Sequence, residues 1–203
     1  MTHGDSASAP RADLAPTAAL VAQVVRAVTA EDLERPTPCP GTSVAAMLDH
    51  LSGLSLAFAA AGRHQPVPGG DRPPVADAAR LDPAFRDTLP EQLHELGDAW
   101  GTPAAWTGTA TVGGVELPRE VAGLVALNEI VVHGWDLAVA TGQPYEPDES
   151  AVEGALAFVR PTVTQSPEGT PGLFGPPVAV AAGASPLDGL LGLTGRDPRW
   201  SRP

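Results

Sequence analysis

Within the stretch LNEIVVHGWDLA, residues 127–138, Glu129 and His133 stand four positions apart in an otherwise apolar run. On a helix such a pair lies on one face with Cβ atoms roughly 6 Å apart, so a carboxylate and an imidazole can share one ion. At about 100° per residue, Val121, Leu124, Val125 and Val132 form the core stripe, and Glu129, His133 and Asp136 run along its flank. Burying either polar group without a partner costs on the order of several kcal/mol, and a divalent cation at that border pairs both. A Glu–His pair at this spacing also forms ordinary surface hydrogen bonds, so two ligands do not define a centre.

A third ligand must come from another element, and the candidates are His3, His50, His64 and His94. His50 fits best, because it flanks the apolar positions Met47 and Leu54 as the pair flanks its own stripe. His94 lies among Glu91, Glu95 and Asp98, reads as solvated, and stays open as a fourth ligand. Two His and one Glu suit Zn²⁺, Fe²⁺, Ni²⁺ or Mn²⁺, with zinc favoured, and leave coordination positions for chemistry. Asp136, one turn beyond His133, is placed to accept the ring N–H of a bound imidazole, in competition with a hydrogen bond to the backbone or to Trp135. Trp135 and Asn128 read as structural, the first packed between helices and the second hydrogen-bonded.

The elements that would position these groups are helices. Leu14, Leu20, Val21, Val24, Val25 and Val28 recur at helical spacing, and the Pro/Gly cluster at 36–41 stops that helix. Ser43 is a plausible N-cap for a second, with Val44, Met47, Leu48, Leu51, Leu54 and Phe58, ending at Gly62. A Pro/Gly loop, a lid or an insertion, follows at 63–82. A third helix is expected over about 83–100, a hairpin around Gly113 and Gly114, a fourth helix over about 119–141 ending at Gly142, and a fifth over about 149–160. The segment SPLDGLLGLTGRDPRW closes with one more short helix. The expectation is an all-α fold: a four-helix bundle with short C-terminal helices and a small hairpin, one domain over 13–203 after a flexible tail at 1–12.

A chain of 203 residues, 43% hydrophobic, is long enough for one real core. A formal net charge of −12, with every basic residue an Arg, gives no footprint for nucleic acid or an anionic membrane. Small molecules are the expected partners, with the chain a monomer or homodimer. The N-terminus lacks a basic region and the roughly 7 to 15 apolar residues of a signal peptide, and a single Cys39 forms no internal disulfide, so a cytoplasmic setting is expected. The longest apolar runs, near 121–132 and 178–184, are shorter than a span of about 18 residues or broken by polar groups, and a soluble chain is expected.

Three separated motifs, RPTPCPGTSVAAMLDHL, LNEIVVHGWDLAVATGQP and LLGLTGRDPRW, resemble the DinB/YfiT-like metalloprotein superfamily, and within it the mycothiol-dependent maleylpyruvate isomerase N-terminal-like branch. The resemblance implies a four-helix bundle whose metal triad falls on His50, Glu129 and His133. It also implies a low-molecular-weight thiol, mycothiol, as co-substrate in thiol transfer to, or isomerisation of, an electrophilic metabolite. Other functions compatible with the site are a metal-binding stress protein without turnover and a thiol-independent tailoring enzyme of secondary metabolism. Two departures stand out. An aromatic usually placed before the second helix is replaced at Thr42, and the C-terminal part is short for a separate second domain of the isomerase type. Cys39 lies in the matched Pro-Cys-Pro stretch and reads as a packing residue rather than a redox group. The loops at 63–82 and 161–185 are expected to shape the substrate pocket.

Overall fold

The computed structural model describes residues 12–67, 72, 75–170 and 173–202. His3 and nearly all of the expected tail lie outside the described residues. Among those described, six α-helices are joined by short 3₁₀ turns and one hairpin: α1 (Ala15–Ala27), α2 (Val44–Gly62), α3 (Phe85–Trp100), β1 (Thr109–Val112), β2 (Val115–Pro118), α4 (Arg119–Thr141), α5 (Glu149–Gln165) and α6 (Pro186–Leu193).

Helices α1 to α4 form the bundle: α1 packs on α3 and α4, and α2 packs on α3 and α4. The consequence for the site is direct, since α2, carrying His50, lies beside α4, carrying Glu129 and His133. Helix α5 covers the outside of α4, and α6 covers α5. By length and mean hydropathy (1.5 and 1.3) α2 and α4 could each cross a bilayer, but 72% and 89% of those windows are buried inside the protein. Their apolarity makes the core: Leu48, Leu51, Leu127, Val131 and Leu137 are fully enclosed.

Local chemistry sets the ends of the helices. Ser43 Oγ accepts from the Ala46 N–H at 3.3 Å and opens α2 as an N-cap does. Helix α4 stops at Gly142, whose φ of 73° is left-handed, with Gln143 N–H on the Ala138 carbonyl and Gly142 N–H on that of Val139. The hairpin turns on Gly113 and Gly114, both at positive φ, with Val112 facing Val115 across it.

One boundary differs from the sequence reading. Helix α5 does not stop at Arg160 but runs through Pro161 to Gln165. Proline removes one N–H, yet the hydroxyls of Thr162 and Thr164 donate to the Phe158 and Arg160 carbonyls at 2.8 Å each, and Phe158 stacks edge-on against Phe174 at 6.4 Å. Tertiary packing carries the last turn past its breaker.

Candidate metal centre

Helices α2 and α4 bring His50, Glu129 and His133 together, with one donor atom from each lying within 4.8 Å of the others. His133 Nε2 is 3.1 Å from Glu129 Oε2, His50 Nε2 is 4.0 Å from the same oxygen, and the two imidazoles meet edge to face with centroids 5.1 Å apart. Two zinc–nitrogen bonds span about 4 Å, so the spread is close to what one ion can gather. Two imidazoles and a carboxylate are a donor set for a borderline divalent metal. Glu129 and His133 are buried and His50 is half-buried at the rim, which leaves access from one side.

Behind His133, Asp136 Oδ2 accepts from Nδ1 at 2.9 Å, as the i,i+3 spacing suggested, and Asp136 is fully enclosed. The same oxygen accepts from Arg196 Nη2 at 3.0 Å, and Arg196 Nη1 donates to the Thr194 carbonyl at 2.7 Å. Burial alone would push both carboxyls up. For Asp136 the Arg196 charge and the His133 bond outweigh it, and for Glu129 the His133 bond and the charges of His133, His50 and Arg196 do, so both are held below the usual carboxylate range. Burial would lower His133, but its bonds to Asp136 and Glu129 win and hold it up at about 9. Without a cation, the proton on Nε2 occupies the place a metal would take.

Other residues singled out in the sequence lie elsewhere. His94 is exposed on α3, 3.5 Å from Asp98, and is not drawn to the centre. His64 follows α2, with Nε2 2.9 Å from the Ala104 carbonyl. Trp135 is buried in the core cluster. Asn128 is buried too, but its Oδ1 has no hydrogen-bond partner among the described residues, so the expected structural bond is not made there. Its place is on the face of α4 that packs into apolar core. Cys39 is a free, half-buried thiol packed against the core, within electrostatic reach of Arg196.

Arg196 and Tyr145 took no role from the sequence. Tyr145 donates its hydroxyl to the Ile130 and Val131 carbonyls at 3.2 and 3.0 Å, in the turn between Glu129 and His133. Gly134 makes room for it, since a Cβ there would meet the Tyr145 oxygen at 2.5 Å. The glycine beside His133 was the one local signal of that approach.

The loop at 63–82 serves two places. Gln65 and Val67 line a cavity of about 340 Å³ with Thr109, Thr111 and Arg119, at the opposite end of α2 from His50. Its later part docks on α2, where the Asp77 N–H and Arg80 Nη2 both bond Asp49 Oδ2 at 3.0 Å, one residue before His50 in the chain. The described part of 161–185 folds back on α5 and α6 through Phe174 and through the Val178 N–H on the Gly192 carbonyl.

A helix bundle that brings two His and one Glu together from adjacent helices, with a buried carboxylate behind one of them, presents a donor set that could hold a metal ion. The family model for the mycothiol maleylpyruvate isomerase N-terminal domain matches residues 14–138, and the chain belongs to that family. The fold is similar to the crystal structure of the mycothiol-dependent maleylpyruvate isomerase, with a TM-score of 0.55 at 16% identity, over 76% of this chain and 68% of that one. A histidine-to-alanine mutant of that enzyme matches with a TM-score of 0.57 over the same shares. An uncharacterized protein from two Mycobacterium tuberculosis strains is 26% identical over 174 residues, 85% of this chain and 89% of its own. The family match ends within α4, so α5, α6 and the arm carrying Arg196 lie outside it.

Proposed function

We propose that this chain is a divalent-metal enzyme that uses a low-molecular-weight thiol, mycothiol, to transfer to or isomerise an electrophilic small molecule. His50, Glu129 and His133 would hold the ion, zinc first among the candidates. The observation that carries the reading is the convergence of these three residues, at the positions the family resemblance implies, with Asp136 behind one of them. A bound divalent ion supplies Lewis acidity, which favours thiolate near neutral pH where a free thiol of pKa about 8.5 is mostly protonated.

The residues shape that chemistry. Glu129 and Asp136 bring two negative charges and Arg196 one positive, so a divalent ion beside neutral imidazoles leaves the cluster at about +1, a balance that attracts an anionic sulfur. Asp136 accepts the hydrogen bond from Nδ1–H and so orients the ring of His133. The half-buried rim at His50, with the Asp77–Arg80 turn held at Asp49, gives the side from which substrate arrives. Arg196, engaged with Asp136 and the Thr194 carbonyl, is not available to a substrate carboxylate. Residues 13–203 would act as one unit, since the bundle and the C-terminal arm meet at Asp136.

Metal content of protein purified without chelator, together with thiol consumption in the presence of activated electrophiles, tests this. The expectation is about one divalent ion per chain and metal-dependent consumption of mycothiol faster than of glutathione. Stoichiometric metal with only the uncatalysed rate for every thiol would overturn the thiol reading.

A further inference from the structure

We propose that Arg196 is a positioning residue of the metal centre: from the C-terminal arm it clamps Asp136 so that His133 offers Nε2, and only Nε2, to the ion. The inference rests on the reading of His50, Glu129 and His133 as ligands.

Asp136 alone does not fix the ring. Its carboxylate is on the same helix as His133, it is fully enclosed, and a second donor must satisfy the oxygen capacity that Nδ1 leaves open. Arg196 supplies that donor. Nη2 reaches Oδ2, the oxygen that also takes His133 Nδ1, while Nε faces Oδ1 at 3.5 Å and Nη1 is tied to the Thr194 carbonyl. A planar guanidinium held at both edges cannot rotate away, and it keeps Asp136 an acceptor. An acceptor at Nδ1 requires a proton there, and the lone pair is then left on Nε2, the atom facing Glu129 and His50.

The local sequence aims this side chain. Helix α6 ends in Leu193-Thr194-Gly195-Arg196, where Gly195 has a φ of 82°, Arg196 N–H bonds the Leu191 carbonyl at 2.8 Å and Gly195 N–H that of Gly192 at 3.1 Å. That is a Schellman end, which reverses the chain in two residues and delivers Arg196 to α4. Gly195 also lies against the backbone of Gly175, which a Cβ would meet at 3.3 Å.

The test uses the full chain, stripped with chelator and titrated with zinc against a colorimetric chelator at pH 7.5, in wild type, His133→Ala, Arg196→Met and Arg196→Lys. Arg196→Met should weaken zinc by about 10- to 100-fold, the usual loss for an outer partner of a metal-bound His. In zinc-loaded protein, the exchange-protected Nδ1–H signal of His133 in ¹H–¹⁵N spectra should be lost, a change that a role in arm packing alone would not cause. Arg196→Lys keeps the charge but not the fork, and should lose only about three- to tenfold. Wild-type affinity with an unchanged Nδ1–H signal in Arg196→Met overturns the proposal. If that variant is unfolded by circular dichroism, wild-type affinity and signal in Arg196→Lys overturn it instead. Wild type that takes up no zinc, or His133→Ala that takes up as much, removes the ligand reading itself and the role of Arg196 with it.

Discussion

Two buried arginines sit at opposite ends of the bundle and handle their charge differently. Arg119, 7% exposed, opens α4 and donates Nη1 to the Ala61 carbonyl in the last turn of α2; its Nε has no partner, and no carboxylate pairs with it among the described residues. The negative end of the α2 dipole takes the place of a counterion. Arg196, 6% exposed, faces a carboxylate that is itself enclosed and bonded to His133. Arg119 lies about 16 Å along α2 from His50, at roughly 1.5 Å per residue, beside a cavity with no acid–base cluster in its lining. A buried charge therefore does not mark a reactive site by itself; the group it faces decides.

The contrast predicts unequal costs. Asp136→Ala leaves Arg196 and His133 against a hole and should lose about 3–5 kcal/mol in urea unfolding at pH 7, as removal of one partner of a buried pair does. Replacing both partners, Asp136→Leu with Arg196→Met, should recover part of that loss. A cost under about 1 kcal/mol for Asp136→Ala would erase the distinction between the two arginines.

His133→Ala should reduce bound metal at least about 100-fold, larger than the effect expected for any outer partner, and elemental analysis reads it. Third comes pH. In metal-free protein His133 has its folded pKa held at about 9, above the unfolded value of about 6.5. The stability it contributes is complete below about 6.5 and is lost as pH rises through about 9. Glu129 and Asp136 are shifted the other way; their contribution is present above about pH 4 and is lost on acidification, outside that window. Unfolding of chelator-treated protein from pH 6 to 9.5 should show the decline, and His133→Gln should flatten it. A flat wild-type profile would contradict the charge arrangement behind Asp136.

Arg119→Met should cost less, on the order of 1 kcal/mol for one carbonyl left unbonded, with metal content unchanged. His94→Ala should change neither stability nor metal, since His94 is exposed and its ion-pair partner, Asp98, is exposed on the same helix. Metal loss in either variant would place the centre elsewhere.

What the sequence shows of this site follows from how local each contact is. Glu129, His133 and Asp136 share one helix, so spacing alone aligned them, and the bonds at 3.1 and 2.9 Å follow that spacing. The paired glycines at 113 and 114 announced the hairpin and Gly142 the end of α4. His50 needed the packing of α2 on α4, which its flank position suggested and the family resemblance supported. Arg196 was beyond reach: Gly195 signals a helix end, but nothing local says which carboxylate, 60 residues away, the next side chain meets. The run of α5 past Pro161 was equally hidden, because the packing of Phe158 on Phe174 joins distant segments.

The Asp136–Arg196 pair also has a schedule. His50, Glu129 and His133 have all been synthesised once α4 is complete, but Asp136 must wait for 60 more residues, roughly 3 to 12 s at about 5 to 20 residues per second. Until Arg196 has been made, Asp136 has no guanidinium to meet. A chain truncated ahead of Gly195 would lack that partner for good, and its Asp136 would face His133 alone.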